Sequence, residues 1–247
     1  MLKRFLLMVQ FLTRIPLNFD LEITDKDFSE GIIYFPIIGA IIGILTTSVF
    51  MAFNSYISYN VAVVSAVIFE VLITGALHLD GLADTFDGLY SNRNRDRILE
   101  IMKDSRVGSN GVLSLIGLFA LKITLILSVG VDYIYPILFF MPIVSRMAVP
   151  FFCYKAKYAR EKGMGNFFIG KVKKVHLVIV IAMYILLSLF NINVSIMVIP
   201  VILFSYLYRR HIEKIIGGLT GDNIGALIEL SEIVFLFSSF VVINYSL

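Results

Sequence analysis

The sequence predicts an all-α fold, a polytopic transmembrane helical bundle of about seven spans with its N-terminus in the cytoplasm. Three observations carry this. Of 247 residues, 58% are hydrophobic and only 16% are charged, and the mean hydropathy is +0.88; soluble domains carry about 25% charged residues. Apolar runs near the roughly 20 residues that cross a bilayer as a helix recur along the whole chain. Finally, the basic residues collect in alternate loops, the pattern that orients a threaded chain with its positive loops inside.

The elements follow in order. Residues 1–30 are expected to form an interfacial N-terminal segment, because Phe5, Leu6, Leu7 and Phe11 mark an apolar stretch too short to span. Spans are expected over 31–53, 60–79, 107–130, 133–152, 175–190, 194–208 and 225–245. The fifth and sixth are short and joined by Asn191, Ile192 and Asn193, so tilted or partly re-entrant helices are expected there. No repeat or linker divides the chain, and residues 1–247 read as a single integral membrane catalytic domain.

Of the 21 Lys and Arg residues, all but Lys122 and Arg146 lie before the first span or in the loops after the second, fourth and sixth. The opposite loops carry only Asp132. The expected location is therefore the cell membrane, multi-pass, with the active face cytoplasmic. A lone cysteine, Cys153, excludes an internal disulfide, and three histidines (His78, His176 and His211) exclude a histidine-rich metal centre. Neither a Ser-His-Asp nor a Cys-His arrangement is evident.

The second span runs into Thr74-Gly-Ala-Leu-His-Leu-Asp-Gly-Leu-Ala-Asp-Thr-Phe-Asp-Gly88. On a continuing helix, Asp80, Asp84 and Asp87 are spaced i, i+4, i+7 and share one face. Three like charges there repel one another and oppose the dipole of a helix C-terminus. A cation relieves both, and hard carboxylate oxygens suit Mg²⁺ or Mn²⁺ shared with substrate phosphates. His78 lies on the other side of that helix. Gly75, Gly81 and Gly88 admit a close-packed helix or a bulky ligand.

Further along, Lys103 and Arg106 can bind phosphate oxygens, with Asp104 between them as a further metal ligand. Gly108 and Gly111 are expected to leave backbone N–H groups open to an anion. Two more glycine-rich stretches lie on the same side: Arg160-Glu-Lys-Gly-Met-Gly165, and Gly217-Gly-Leu-Thr-Gly-Asp-Asn-Ile-Gly225, with Asp222 as a candidate for metal or ribose. Glu229 and Glu232 are expected in the first two turns of the last span, with Lys122 and Arg146 as counter-ions or phosphate ligands. Glu70 sits about three turns into the second span, where a carboxylate is costly. Carboxylates for a metal, cations for phosphates and glycines for close approach together describe metal-assisted phosphoryl chemistry.

Five segments in this order resemble the cobalamin synthase (adenosylcobinamide-GDP ribazoletransferase) family. They are Phe11-Leu-Thr-Arg-Ile-Pro16, Tyr34-Phe-Pro-Ile-Ile-Gly39, the run from Thr74 to Gly88, Met102-Lys-Asp-Ser-Arg-Val-Gly108 and Gly217-Gly-Leu-Thr-Gly-Asp222. The resemblance implies an Mg²⁺-dependent transferase that joins adenosylcobinamide-GDP to α-ribazole or its 5′-phosphate and releases GMP. It implies a metal held by Asp80, Asp84 and Asp87 at the pyrophosphate. Lys103 and Arg106 would then act in catalysis on the phosphate charge, and Arg14, His78, Asp104, Arg146, Arg160, Gly163, Gly165, Gly221 and Asp222 would contact substrate. Membrane lipid and a further copy of the chain in a homo-oligomer are the other expected partners, with no nucleic acid.

Two alternatives stand beside this. A CDP-alcohol phosphotransferase also carries an aspartate-rich membrane helix, but its Asp-Gly-x-x-Ala-Arg pattern is not met by Asp80-Gly-Leu-Ala-Asp84. An ion-coupled transporter would use Glu70, Lys122 and Arg146, and would spread polar groups through the spans and over both faces.

Overall fold

The computed structural model describes residues 1–17, 23–190 and 192–245. Among them the chain is helical almost throughout, and its one β pairing is an isolated parallel bridge between Tyr158 and Leu219.

Helix α1 (Leu2–Leu12) buries Leu7, Met8, Val9 and Leu12. At about 1.5 Å per residue it is too short to cross the roughly 30 Å hydrocarbon layer. Residues 18–22 of the expected interfacial segment lie outside the described residues. Helix α2 (Asp25–Gly31) begins with a capping box between Thr24 and Asp27. The Asp27 carboxylate also takes Lys3 at 2.8 Å and Arg4 at 3.3 Å, which ties α1 to α2.

Helix α3 (Phe35–Tyr56) follows a 3₁₀ turn and has a proline in its first turn, where the missing N–H costs no hydrogen bond. Then come α4 (Tyr59–Thr74), α5 (Leu77–Leu89), the short α6 (Arg95–Ile101), α7 (Ser109–Val129) and α8 (Ile134–Cys153). The last three are α9 (Lys174–Phe190), α10 (Ile192–Ile216) and α11 (Gly221–Tyr245). Among the described residues, the α2–α3 segment and helices α7, α8 and α11 are long and apolar enough to cross a membrane, and the pair α4–α5 gives a fifth candidate. Helix α9 is apolar but short. A helix stands at each of the seven expected positions, and four of them, or five with the bent pair, have that length and apolarity.

Three expected boundaries need correction. The second span does not run on to residue 79: it stops at Thr74, and α5 leaves α4 at 89°. The pair is therefore a broken span or a re-entrant turn rather than one straight helix. The sixth helix runs beyond 194–208, from Ile192 to Ile216, and Asn191 lies outside the described residues. The seventh starts at Gly221 rather than 225, so Asp222 sits in its first turn.

Helix α8 forms the centre of the bundle, with residues 140–150 buried without a break. Helix α3 lies against it through Gly39 and Gly43, four residues apart, where an added Cβ would strike the Pro142 and Phe139 backbone. In lipid, close backbone approach of this kind replaces the hydrophobic drive between helices. Helices α5 and α11 cross in the same way: Gly81 lies on the Asp222 backbone and Gly225 on the His78 backbone. That crossing brings the acidic helix and the last glycine-rich stretch into contact.

Candidate active site

The site begins at the break between α4 and α5. Gly75 and Ala76 both adopt left-handed backbone, at φ 62° and 58°. Glycine accepts this freely, whereas a residue with a Cβ is strained by about 1–2 kcal/mol. The Arg14 N–H donates to the Ile73 carbonyl at 2.6 Å, and the Arg14 side chain fills the space where a Cβ on Gly75 would go. The segment after α1 thus packs against the turn that aims α5.

At this end of the bundle a cavity of about 230 Å³ opens between α1, α5, α11 and the loop that joins α8 to α9. His78, Asp80, Arg160, Gly163, Gly165, Gly221 and Asp222 all line it, with Phe11, Phe35 and Phe168 as an apolar wall. Thr220 begins α11: the Asn223 N–H donates to its hydroxyl at 3.3 Å, and its own N–H donates to the Asn223 side chain at 2.8 Å. The positive end of α11 therefore faces the cavity. Gly165 rests on the Gly221 backbone with no space for a side chain, and the bridge from Tyr158 to Leu219 holds the loop to α11. Arg160 donates to Asp222 at 2.7 Å and to the Met102 carbonyl at 3.0 Å, joining three segments.

The aspartates divide. Asp80 faces the cavity and Asp84 stands beside Asp80 and Asp222. Burial first, and then the Asp222 and Asp80 carboxylates, push the Asp84 carboxyl up to about 7, with Arg160 offsetting part of this. Asp87 turns away: it accepts the Gly108 N–H at 2.6 Å and the Gly111 N–H at 2.8 Å. The amides expected to be open to a foreign anion are thus filled by Asp87 at the start of α7.

The segment 102–108 is not drawn into the cavity. Arg106 is 87% exposed and pairs with Asp104 at 2.7 Å, which lowers the Asp104 carboxyl to about 2. Lys103 lines a neighbouring surface cleft with Arg95 and the other side of Arg160.

Arg146 and Lys122 are buried behind the cavity rather than in it. Lys122 Nζ donates to Glu70 at 3.4 Å, to Glu229 at 3.1 Å and to Glu232. Arg146 donates to the other Glu232 oxygen at 3.2 Å and to the Pro142 carbonyl at 3.0 Å. The counter-ion reading of both cations therefore holds. Glu229 and Glu232, however, lie in the third and fourth turns of α11, not the first two, because that helix starts earlier. The reach of Arg146 toward the site passes through His78, whose Nδ1 lies 3.5 Å from its guanidinium. Tyr158 and the Gly81–Gly225 crossing were not singled out as site elements; the glycine in each crossing helix was the available signal.

Among the described residues, no group of three or more His, Cys, Asp or Glu side chains is arranged to hold a metal ion unaided. Mg²⁺ asks for less, since it binds through one or two carboxylates, waters and substrate phosphates. Asp80, Asp84 and Asp222 supply hard oxygens whose mutual repulsion a cation would relieve, so these residues fit it.

The sequence profile of the cobalamin-5-phosphate synthase family matches residues 4–240. The chain belongs to this family. It is 43% identical to the adenosylcobinamide-GDP ribazoletransferase of Alkaliphilus metalliredigens, covering 94% of this chain and 92% of that protein. It is 39% identical to the enzyme of the same name in Clostridioides difficile, over 98% of both chains, and 37% identical to that of Clostridium novyi, over 96% of both. No solved structure matches. For this family member, the comparisons favour neither the phospholipid-enzyme nor the transporter alternative.

Proposed function

We propose that this chain is an adenosylcobinamide-GDP ribazoletransferase of the cell membrane, acting at the cytoplasmic face and joining α-ribazole or its 5′-phosphate to the corrinoid with release of GMP. The observation that carries this is one cavity lined both by the carboxylates of Asp80 and Asp222 and by Arg160 and the N-terminus of α11. A pyrophosphate-bearing substrate needs both kinds of group: carboxylates to hold Mg²⁺, and donors to hold the phosphoryl oxygens.

In this reading Asp80 and Asp84, with Asp222, hold the metal, which when bound offsets charge on the phosphoryl oxygens. Asp87 acts from behind, fixing the start of α7 and with it the preceding loop. Arg160 and the first amides of α11 orient the pyrophosphate. Lys103, in the neighbouring cleft, and the exposed Arg106 lie outside the cavity and would meet the nucleotide only as it departs, and Arg14 supports the turn that aims α5. The aromatic wall shields the reacting phosphorus from bulk water. The nucleophile is an oxygen of the ribazole substrate, so no covalent enzyme intermediate is required.

The test is GMP release by the purified protein in liposomes, with adenosylcobinamide-GDP and each acceptor in turn. GMP appearing together with the joined corrinoid supports the reading. Release of CMP from a CDP-alcohol lipid, with none of GMP, overturns it. Single-cysteine labelling tests the cytoplasmic face: sites near 95 and 165 should react from the cytoplasmic side, and sites near 57 and 132 from the other.

A further inference from the structure

Among the described residues, the interior charge cluster meets the cavity lining at His78. Lys122 on α7 has three N–H donors and spends them on Glu70 of α4 and on Glu229 and Glu232 of α11. Glu232 passes the connection on through its other oxygen, which accepts from Arg146 at 3.2 Å and from Ser145 at 3.2 Å. Arg146 is 1% exposed and is anchored again by the Pro142 carbonyl. Its second terminal nitrogen meets His78 Nδ1 at 3.5 Å. His78 is itself 3% exposed. It lines the cavity, and its Nε2 is buried with no hydrogen-bond partner among the described residues.

A guanidinium has donors only. The nitrogen of His78 that faces it must accept, so the ring hydrogen resides on Nε2. A neutral imidazole held this way cannot take a proton at Nε2; it can only donate there. An unpaired buried donor is costly, and a ligand oxygen would relieve that cost. The rest of the lining, Arg160 and the N-terminus of α11, favours an anionic oxygen.

We propose that His78 is a substrate-contacting hydrogen-bond donor, its Nε2–H directed to a phosphoryl oxygen, and that Arg146, Glu232 and Lys122 are positioning residues that fix its tautomer from inside the bundle. The inference rests on the transferase reading only for which phosphate supplies the oxygen. It also gives the buried intramembrane charges a task, since such groups are costly and are retained mostly where they serve function.

Ring-¹⁵N NMR on histidine-labelled protein tests this directly, because only His176 and His211 share the spectrum. In the free protein, Nε2 of His78 should be the hydrogen-bearing nitrogen and Nδ1 the acceptor, and inorganic pyrophosphate should move the Nε2 resonance. Hydrogen on Nδ1, or a resonance indifferent to pyrophosphate, overturns the proposal. Arg146→Met and Glu232→Gln should each move the Nδ1 resonance; an unmoved Nδ1 alongside a lowered Tm would mean a purely structural cluster.

Two further variants keep the test open if those fail to fold. The terminal amide of His78→Gln reaches the place of Nε2 and should keep most of the turnover. That of His78→Asn sits nearer Nδ1 and should lose about tenfold in kcat/KM, the value of one hydrogen bond. Equal loss in both overturns the donor role. Failure of wild-type protein to release GMP would sink the transferase reading, while the ring tautomer and the pyrophosphate response would still stand or fall by themselves.

Discussion

The molecule contains two clusters of carboxylates and cations, and they differ in whether they are closed. Around Lys122, every ammonium hydrogen finds a carboxylate and both oxygens of Glu232 are engaged. Around Asp84, three carboxylates approach one another with Arg160 alone against them. The first cluster is nearly closed, with Glu70 Oε1 and Arg146 Nε its atoms left without a partner among the described residues, and it holds helices α4, α7, α8 and α11 in place. The second is left open to the outside, the condition for taking up a cation and phosphates. The same residue types therefore divide into framework and site by what remains unpaired.

Breaking the closed cluster should have the largest effect on stability. Lys122→Met leaves Glu70, Glu229 and Glu232 facing one another in the bundle, and removal of one partner from a buried ion cluster costs about 3–5 kcal/mol. Thermal unfolding in detergent should show a large fall in Tm. Asp80→Asn in the open cluster should leave Tm level or higher, because it removes one of the repelling charges. Equal losses in the two variants would erase the distinction.

That contrast was only partly legible in the sequence. The runs of apolar residues and the segregated basic loops gave the helices, their order and the shared polar end. The run from His78 to Asp87 marked the acidic helix, since aspartates spaced i, i+4, i+7 need something to meet them. The break at Gly75 and Ala76 was not legible, because a glycine within an apolar run also fits a continuous helix. What imposes the break is tertiary: Arg14, some 60 positions earlier in the chain, packs into the turn. The separation of Asp87 from Asp84 was hidden for the same reason, as it depends on where the start of α7 comes to rest. The counter-ions of Glu229 and Glu232 were legible because an intramembrane cation has few places to go.

A cation outside the open cluster sharpens the comparison further. Arg106→Lys replaces a bidentate fork by a point charge. About tenfold should be lost in kcat/KM for GMP release, comparable to one charge-assisted hydrogen bond of about 1.5 kcal/mol. Wild-type kinetics would return Arg106 to the surface pair it makes with Asp104.

Proton linkage separates the clusters by a smaller effect. Burial and its acidic neighbours raise the Asp84 carboxyl to about 7 in the folded protein, above its value in the unfolded chain. Its contribution to stability is therefore present in acid and lost as pH rises through about 7. Metal-free protein should lose Tm across that range, the stabilisation by added Mg²⁺ should grow over the same range, and Asp84→Asn should flatten both trends. The smallest effect belongs to the turn between α4 and α5: Ala76→Gly relieves left-handed strain and should raise stability by about 1 kcal/mol, read as a modest rise in Tm.

If the open carboxylate cluster is a cation site for pyrophosphate chemistry, Asp84→Asn should disable it, because the change keeps size and removes charge. Thermal unfolding with and without Mg²⁺ and adenosylcobinamide-GDP would be measured beside GMP release on the same preparation. A cation site there requires a metal-free Tm equal to or above wild type, a shrunken shift on adding Mg²⁺ with substrate, and GMP release reduced by orders of magnitude. A variant that keeps both the Mg²⁺-dependent shift and the wild-type rate of GMP release would contradict it.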